Sequence, residues 1–233
     1  MIKETPIIFS TPMVQAILEG KKTMTRRIVS ELFETPFSEP CGDFLVIENK
    51  WLAVDFIDAL TRDYDKHVRI KCPYGKPGDL LWVRETWGIY RSHPEGKDNI
   101  VFKSELHSVY YPNDSESNGS WKPSIHLKKI HARLWLQIEN IRVERLRDIS
   151  EADAKAEGIM RYAGDNYYFY PCKDLRDDTY VDRAVTSFYS LWKVINGQES
   201  WDANPWVWVI EFKELSRTGH PKIPHSSNPP ITK

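Results

Sequence analysis

Apolar and polar residues alternate most cleanly in HARLWLQIENIRVERL. Leu134, Leu136 and Ile138 share one face there, with Arg133, Trp135 and Gln137 on the other, the period-two signature of a half-buried strand. The apolar phase then slips by one, to Ile141 and Val143, which predicts a bulge or sharp bend near Asn140 of the kind barrels need. A different period governs Val181, Ala184, Val185, Phe188, Leu191, Trp192 and Ile195. Their three- and four-residue spacing predicts an amphipathic core helix over residues 179–196, stopped by Gly197, whose aromatic stripe serves packing.

A first helix is predicted in STPMVQAILEG. Thr11 can cap it, Pro12 suits the first helical position, Met13, Ala16 and Ile17 form its apolar side, and Gly20 suits the position past its end. TRRIV reads as a strand leaving that turn. DFLVIENKWLAVDFI reads as strand runs around a polar turn at Glu48–Lys50, and Leu80–Arg84 as a strand delivered by Pro77, Gly78 and Asp79. DISEADAKAEGI reads as a short helix capped by Ser150, with Glu151 and Asp153 in its first turn and Gly158 after its end. PWVWVIEFKEL closes the chain's ordered part as a buried strand. Residues 30–42 and about 92–120 read as loop, the latter interrupted by NIVFK, and the proline- and serine-rich residues 216–233 predict a disordered tail. The sum is an α+β fold over residues 1–215: a single domain, a small barrel decorated with helices, with insertions near residues 30–70 and 90–125.

Composition narrows the function. The 233 residues carry 32 basic and 33 acidic side chains, a net charge of −1, which excludes wholesale coating of duplex nucleic acid but allows a local basic pocket. Cys41, Cys72 and Cys172 are scattered, with no CxxC and no Cys/His pair at zinc spacing, so reduced thiols are expected and neither a metal nor a cofactor. The start MIKETPIIFS has no signal-peptide core and no apolar run reaches membrane-spanning length, which predicts a cytoplasmic protein with no membrane partner. GKPGD is not a P-loop, and GxGxxG, HExxH and GxSxG are missing, which disfavours P-loop nucleotide hydrolysis and serine-hydrolase chemistry.

The candidate chemistry begins at KKTMTRR, where four cations and two threonines fall within seven residues. On a strand Thr23, Thr25 and Arg27 share one face and Met24 and Arg26 the other, with Lys22 able to reach over the threonines. A lysine beside a hydroxyl is a base–nucleophile pair when burial lowers its pKa; on these residues alone a solvated basic turn is the plainer reading. In LWVRETW, Arg84 and Glu85 lie between Trp82 and Trp87. Rings to stack and a carboxylate to accept from an exocyclic amine suit a planar polar ligand, and an aromatic core edge with a surface ion pair explains the same residues equally well. His126 and His131 read as surface residues, and Glu157 by itself as a solvated helix carboxylate.

Taken together, AILEGKKTMTRR, GKPGDLLWVRETW, ISEADAKAEGI and the terminal WVWVIEFK resemble an ASCH-domain protein of the large phage and prophage branch, over nearly the whole chain apart from loops and tail. The resemblance implies a PUA-like mixed β-barrel with flanking helices and a cleft suited to RNA or nucleosides, and the host cytoplasm as location if the chain is phage-encoded. It is closest in motif to small bacterial amidohydrolases that deacetylate N4-acetylcytidine, whose catalytic lysine, threonine and glutamate fall on Lys22, Thr25 and Glu157. The implied activity is hydrolysis of an N-acylated cytidine-type nucleoside or nucleotide, with Thr23, Arg26, Arg27, Trp82, Arg84, Glu85 and Trp87 binding the substrate. RNA or single-stranded DNA binding through the same cleft, or ribonuclease action, is the alternative, and the oligomeric state stays open. The chain is over twice the size expected of those small enzymes, its extra length falling in the two insertions.

Overall fold

The computed structural model describes residues 2–29, 37–40, 46–48, 51–58, 67–91, 98–105, 121–161, 167–168 and 183–221. Its centre is a five-stranded mixed sheet of β1 (Glu4–Ile8), β7 (Leu80–Arg84), β10 (Trp135–Arg145), β13 (Trp206–Ser216) and β2 (Met24–Ile28), in that spatial order. β1 runs parallel to β7, and the other neighbours are antiparallel. Between β2 and β7 the chain forms β3 (Phe37–Pro40), β4 (Val46–Glu48), β5 (Trp51–Asp58) and β6 (His67–Lys71), a second sheet whose β4–β5 pairing closes at Glu48 and Trp51, around the expected turn. β8 (Trp87–Arg91) and β9 (Asp98–Phe102), the latter at NIVFK, form a separate antiparallel pair.

The bulge expected near Asn140 is present as a register shift between Ile138 and Asn140. Its effect is to keep Leu134, Leu136, Ile138 and Ile141 in one buried cluster with Ile7, Val83, Trp208, Ile210 and Phe212. Unshifted pleating would have turned Ile141 to the opposite face. β13 is buried on both sides over Val207–Ile210: Trp208 and Ile210, with Phe212 beyond them, enter that cluster, while Val207 and Val209 enter a second one beneath the helices. This part of the strand reads as a continuous apolar run because neither face meets water, whereas Lys213 and Leu215 further on are exposed.

The helices are α1 (Thr11–Leu18), α2 (Glu151–Ala156), α3 (Ala184–Asn196) and α4 (Gln198–Asp202). Pro12 stands in the first turn of α1, and the Ser150 hydroxyl accepts the Asp153 N–H at the start of α2, as expected. Thr11 is helical and Ser10 takes the N-cap position, with no side-chain cap bond. The expected start of the long helix at residues 179–182 lies outside the described residues, and the short α4, which has no apolar period of its own, was not anticipated. Two dipeptide strands, β11 (Met160–Arg161) and β12 (Tyr167–Tyr168), pair beside α3.

The sheet is not closed. β1 and β2 are its edges, and the only bond described between them is a side-chain one, from Arg27 Nη2 to the Ile8 carbonyl at 2.8 Å. The fold is therefore α+β around an open mixed sheet. The GKPGD turn is structural: Asp79 accepts the Lys3 N–H at 2.9 Å and the Lys76 N–H at 3.1 Å, fixing β1 against β7. The tail departs from expectation over residues 217–221. The Gly219 N–H bonds to the Arg133 carbonyl, and the His220 ring lies edge-on to Trp135 and 3.0 Å from Glu4. Residues 222–233 lie outside the described residues. No helix among the described residues is long and apolar enough to cross a membrane.

Candidate active site

KKTMTRR owes its place to two turns. Past α1, the N–H groups of Lys21 and Lys22 both bond to the Ala16 carbonyl. The chain then enters β2, with the Thr23 N–H on the Ala156 carbonyl and the Thr23 carbonyl accepting from Phe212. α2 ends opposite, so that Lys22 and Glu157 form an isolated antiparallel bridge. The sequence places these two residues 135 positions apart; the fold lays them side by side.

Lys22 is fully buried. Its Nζ donates to Glu157 Oε2 at 2.7 Å, to the Met24 carbonyl at 2.7 Å and to the Glu157 carbonyl at 2.8 Å. Three acceptors satisfy all three ammonium protons. Burial pulls the Lys22 pKa below the ordinary lysine range; Glu157 opposes that pull, and the charges of Arg27 and Arg26 add to it.

Glu157 is held from its other side by Arg26, whose Nη1 lies 3.3 Å from Oε1. Arg26 also reaches Asp153 at 2.8 Å and Glu144, and its Nε has no partner among the described residues. Arg142 continues the array to Glu144, Asp153 and Glu211. Three cations thus face four carboxylates; Lys22, Arg26 and Glu157 are the buried end of the array, tolerable there because their charges are paired, while Arg142 and Glu211 reach towards water. Arg142 is held above the ordinary arginine range: burial opposes this, and the charges of Glu144, Asp153 and Glu211 outweigh it.

Against this array lies a cavity of about 180 Å³ at the open β2 edge. Thr25, Arg26, Arg27, Tyr74, Glu157 and Asn196 supply its polar lining, and Met13, Ile28, Phe188, Leu191, Trp192 and Ile195 its apolar lining. Lys22 stands behind this lining, in contact with it through Glu157. The Thr25 hydroxyl has no hydrogen-bond partner among the described residues. Arg27 crosses the Phe9 ring, its guanidinium 5.4 Å from the centroid, and bonds to the Ile8 carbonyl. The Tyr74 hydroxyl is pushed above the ordinary tyrosine range by burial, with Arg27 pulling the other way. The cavity falls below the roughly 300–1,000 Å³ of typical ligand pockets, so it suits one ring or one small group rather than a stretch of polymer.

The structure therefore brings Lys22, Thr25, Arg26, Arg27 and Glu157 together, and leaves the remaining expected residues elsewhere. Thr23 is exposed and contributes its backbone. Trp82 packs with Leu80, Ala132 and Trp135 in a separate buried cluster, with Arg84 stacked 4.8 Å from its ring. Glu85 is buried and already satisfied by the Ser104 hydroxyl and by Arg133 at 3.0 Å, so it has no free edge for an exocyclic amine. Trp87 carries the Lys122 ammonium over its ring at 4.7 Å. None of these four lines the cavity; for them the aromatic core edge is the better description.

Sequence reasoning missed Tyr74, which lies in a turn without periodicity. It also assigned Phe188, Leu191, Trp192 and Ile195 to packing alone, although all four line the cavity. The Arg142–Glu144 alternation on β10 was the one available signal for the carboxylate array. Comparison with protein families, with characterised proteins and with solved structures finds no match. What fold and site define on their own is an α+β domain with a small, partly charged cavity at the edge of its sheet.

Proposed function

We propose that this cavity hydrolyses the amide of an N-acylated cytidine-type nucleoside or nucleotide, in a PUA-like domain of the ASCH type. The observation that carries the reading is the buried Lys22–Glu157 pair with Thr25 lining the same cavity as Glu157. Lys22 and Arg26 fix the orientation of the Glu157 side chain, one on each oxygen, while each oxygen retains a lone pair for a substrate proton. Water oriented by Thr25 adds to the acyl carbon as Glu157 accepts its proton. The C–N bond then breaks as Glu157 returns that proton to the exocyclic nitrogen, leaving a carboxylic acid and a free amine. Positioned proton transfer of this kind contributes about 10²–10⁴ in rate. Of the two arginines that line the cavity, Arg26 is engaged by carboxylates, so Arg27 is assigned to the oxyanion and Tyr74 to the polar edge of the base. Lys22 works through Glu157, a narrower role than direct activation of Thr25.

The test is chromatography of N4-acetylcytidine incubated with wild-type protein and with Thr25→Val. Release of cytidine by wild type, reduced in Thr25→Val, supports the reading. No cytidine from folded wild-type protein contradicts it and turns attention to RNA or single-stranded DNA, whose binding would weaken steeply with salt.

A further inference from the structure

On the amidohydrolase reading, the second wall of the cavity defines the acyl group. α3 places Phe188, Leu191, Trp192 and Ile195 on the cavity, one helical face at three- and four-residue spacing, and Ile28 of β2 extends it. Apart from Asn196 at the last position of α3, the polar lining comes from other elements: Thr25, Arg26 and Arg27 of β2, Tyr74, and Glu157 at the end of α2. An N-acylated cytosine is divided in the same way. Its ring offers donors and acceptors, its acyl chain beyond the carbonyl offers only carbon, and the scissile amide joins the two. Glu157, which handles the proton at that amide, belongs at the junction, so the ring takes the polar lining and the chain takes α3.

An acetyl group has a single methyl to set against this surface. Ile195 is 53% exposed in the structure, apolar area that a methyl held near Glu157 leaves in water and that a longer chain covers. We propose that α3 makes this protein selective for aliphatic N-acyl groups longer than acetyl, with Leu191 and Ile195 as the residues that set chain length.

The experiment compares kcat/KM for N4-acetylcytidine and N4-butyrylcytidine, in wild type and in Ile195→Ser. Ile195 is half exposed, so this substitution does not threaten folding, and the ratio between two substrates is independent of the active fraction. Each methylene buried is expected to raise kcat/KM about fourfold, or about 15-fold from acetyl to butyryl, and Ile195→Ser to lower that ratio severalfold. Acetyl hydrolysed as well as butyryl would overturn the inference and leave the amidohydrolase reading standing. A butyryl preference unchanged in Ile195→Ser would overturn the assignment to α3. Hydrolysis of neither by folded protein would overturn both readings together.

Discussion

Lys22 Nζ and Glu157 Oε2 lie 2.7 Å apart with both side chains withdrawn from water, the lysine completely. A pair in this position is expensive to break, because the survivor keeps its desolvation cost without its partner. Lys22→Met should therefore destabilise the fold by about 3–5 kcal/mol, measured by urea denaturation. The double variant Lys22→Met/Glu157→Gln should be less destabilised than the sum of the two single variants. A purely additive result would mean that the pair is not coupled.

Gly158 sets the approach of these two residues. It has φ +96°, and a Cβ there would stand 3.3 Å from the Cβ atoms of both Ala16 and Lys22. Gly20 also has positive φ, +70°, but nothing within 4 Å of a Cβ. Gly20→Ala should cost about 1 kcal/mol from backbone strain alone, and Gly158→Ala clearly more, since strain and crowding add. Equal shifts in the denaturation midpoint would mean that the close approach has no energetic weight.

The fate of Glu85 separates a structural residue from a ligand-binding one. It is buried and bonded to Ser104 and Arg133, so Glu85→Gln should lower stability by about 1–3 kcal/mol while KM for an N-acylcytidine stays unchanged. A large rise in KM at unaltered stability would restore Glu85 to the binding set.

At acid pH the tail contact should show itself. Burial would push the Glu4 carboxyl up, but the hydrogen bonds and charges of Lys129 and His220 outweigh it and bring Glu4 below its ordinary value of 4.5. A depressed folded-state pKa means that the unfolded chain binds the proton more readily, so the stabilisation is present above 4.5 and lost as pH falls through the folded-state value. Glu4→Gln should flatten this acid limb of a stability–pH curve. An identical acid limb in the variant would show that Glu4 has no part in it.

Much of the frame could be read from local pattern. The phase slip after Ile138 announced the bulge, because a buried face must be regained after each irregularity, and the spacing of Phe188, Leu191 and Ile195 announced α3. The union of Lys22 with Glu157 was not readable from periodicity, since each taken alone looks like a solvated charge. Only the motif resemblance paired them in advance. Trp82 and Glu85 misled for a related reason: alternation tells which residues share a face, but whether that face meets a cavity or another cluster depends on strands distant in sequence. Tyr74 carried no signal at all, because turn residues are positioned by the elements that flank them.

The most direct test of the account is turnover of an N-acylcytidine by Glu157→Gln beside wild type, with both proteins shown to be folded by circular dichroism. The amide keeps the shape and one acceptor oxygen but cannot take a proton from water. The account predicts a loss of about 10²–10⁴ in kcat with KM little changed. Glu157→Gln turning over at the wild-type rate would contradict it, and would return Lys22 and Glu157 to the role of a buried structural pair.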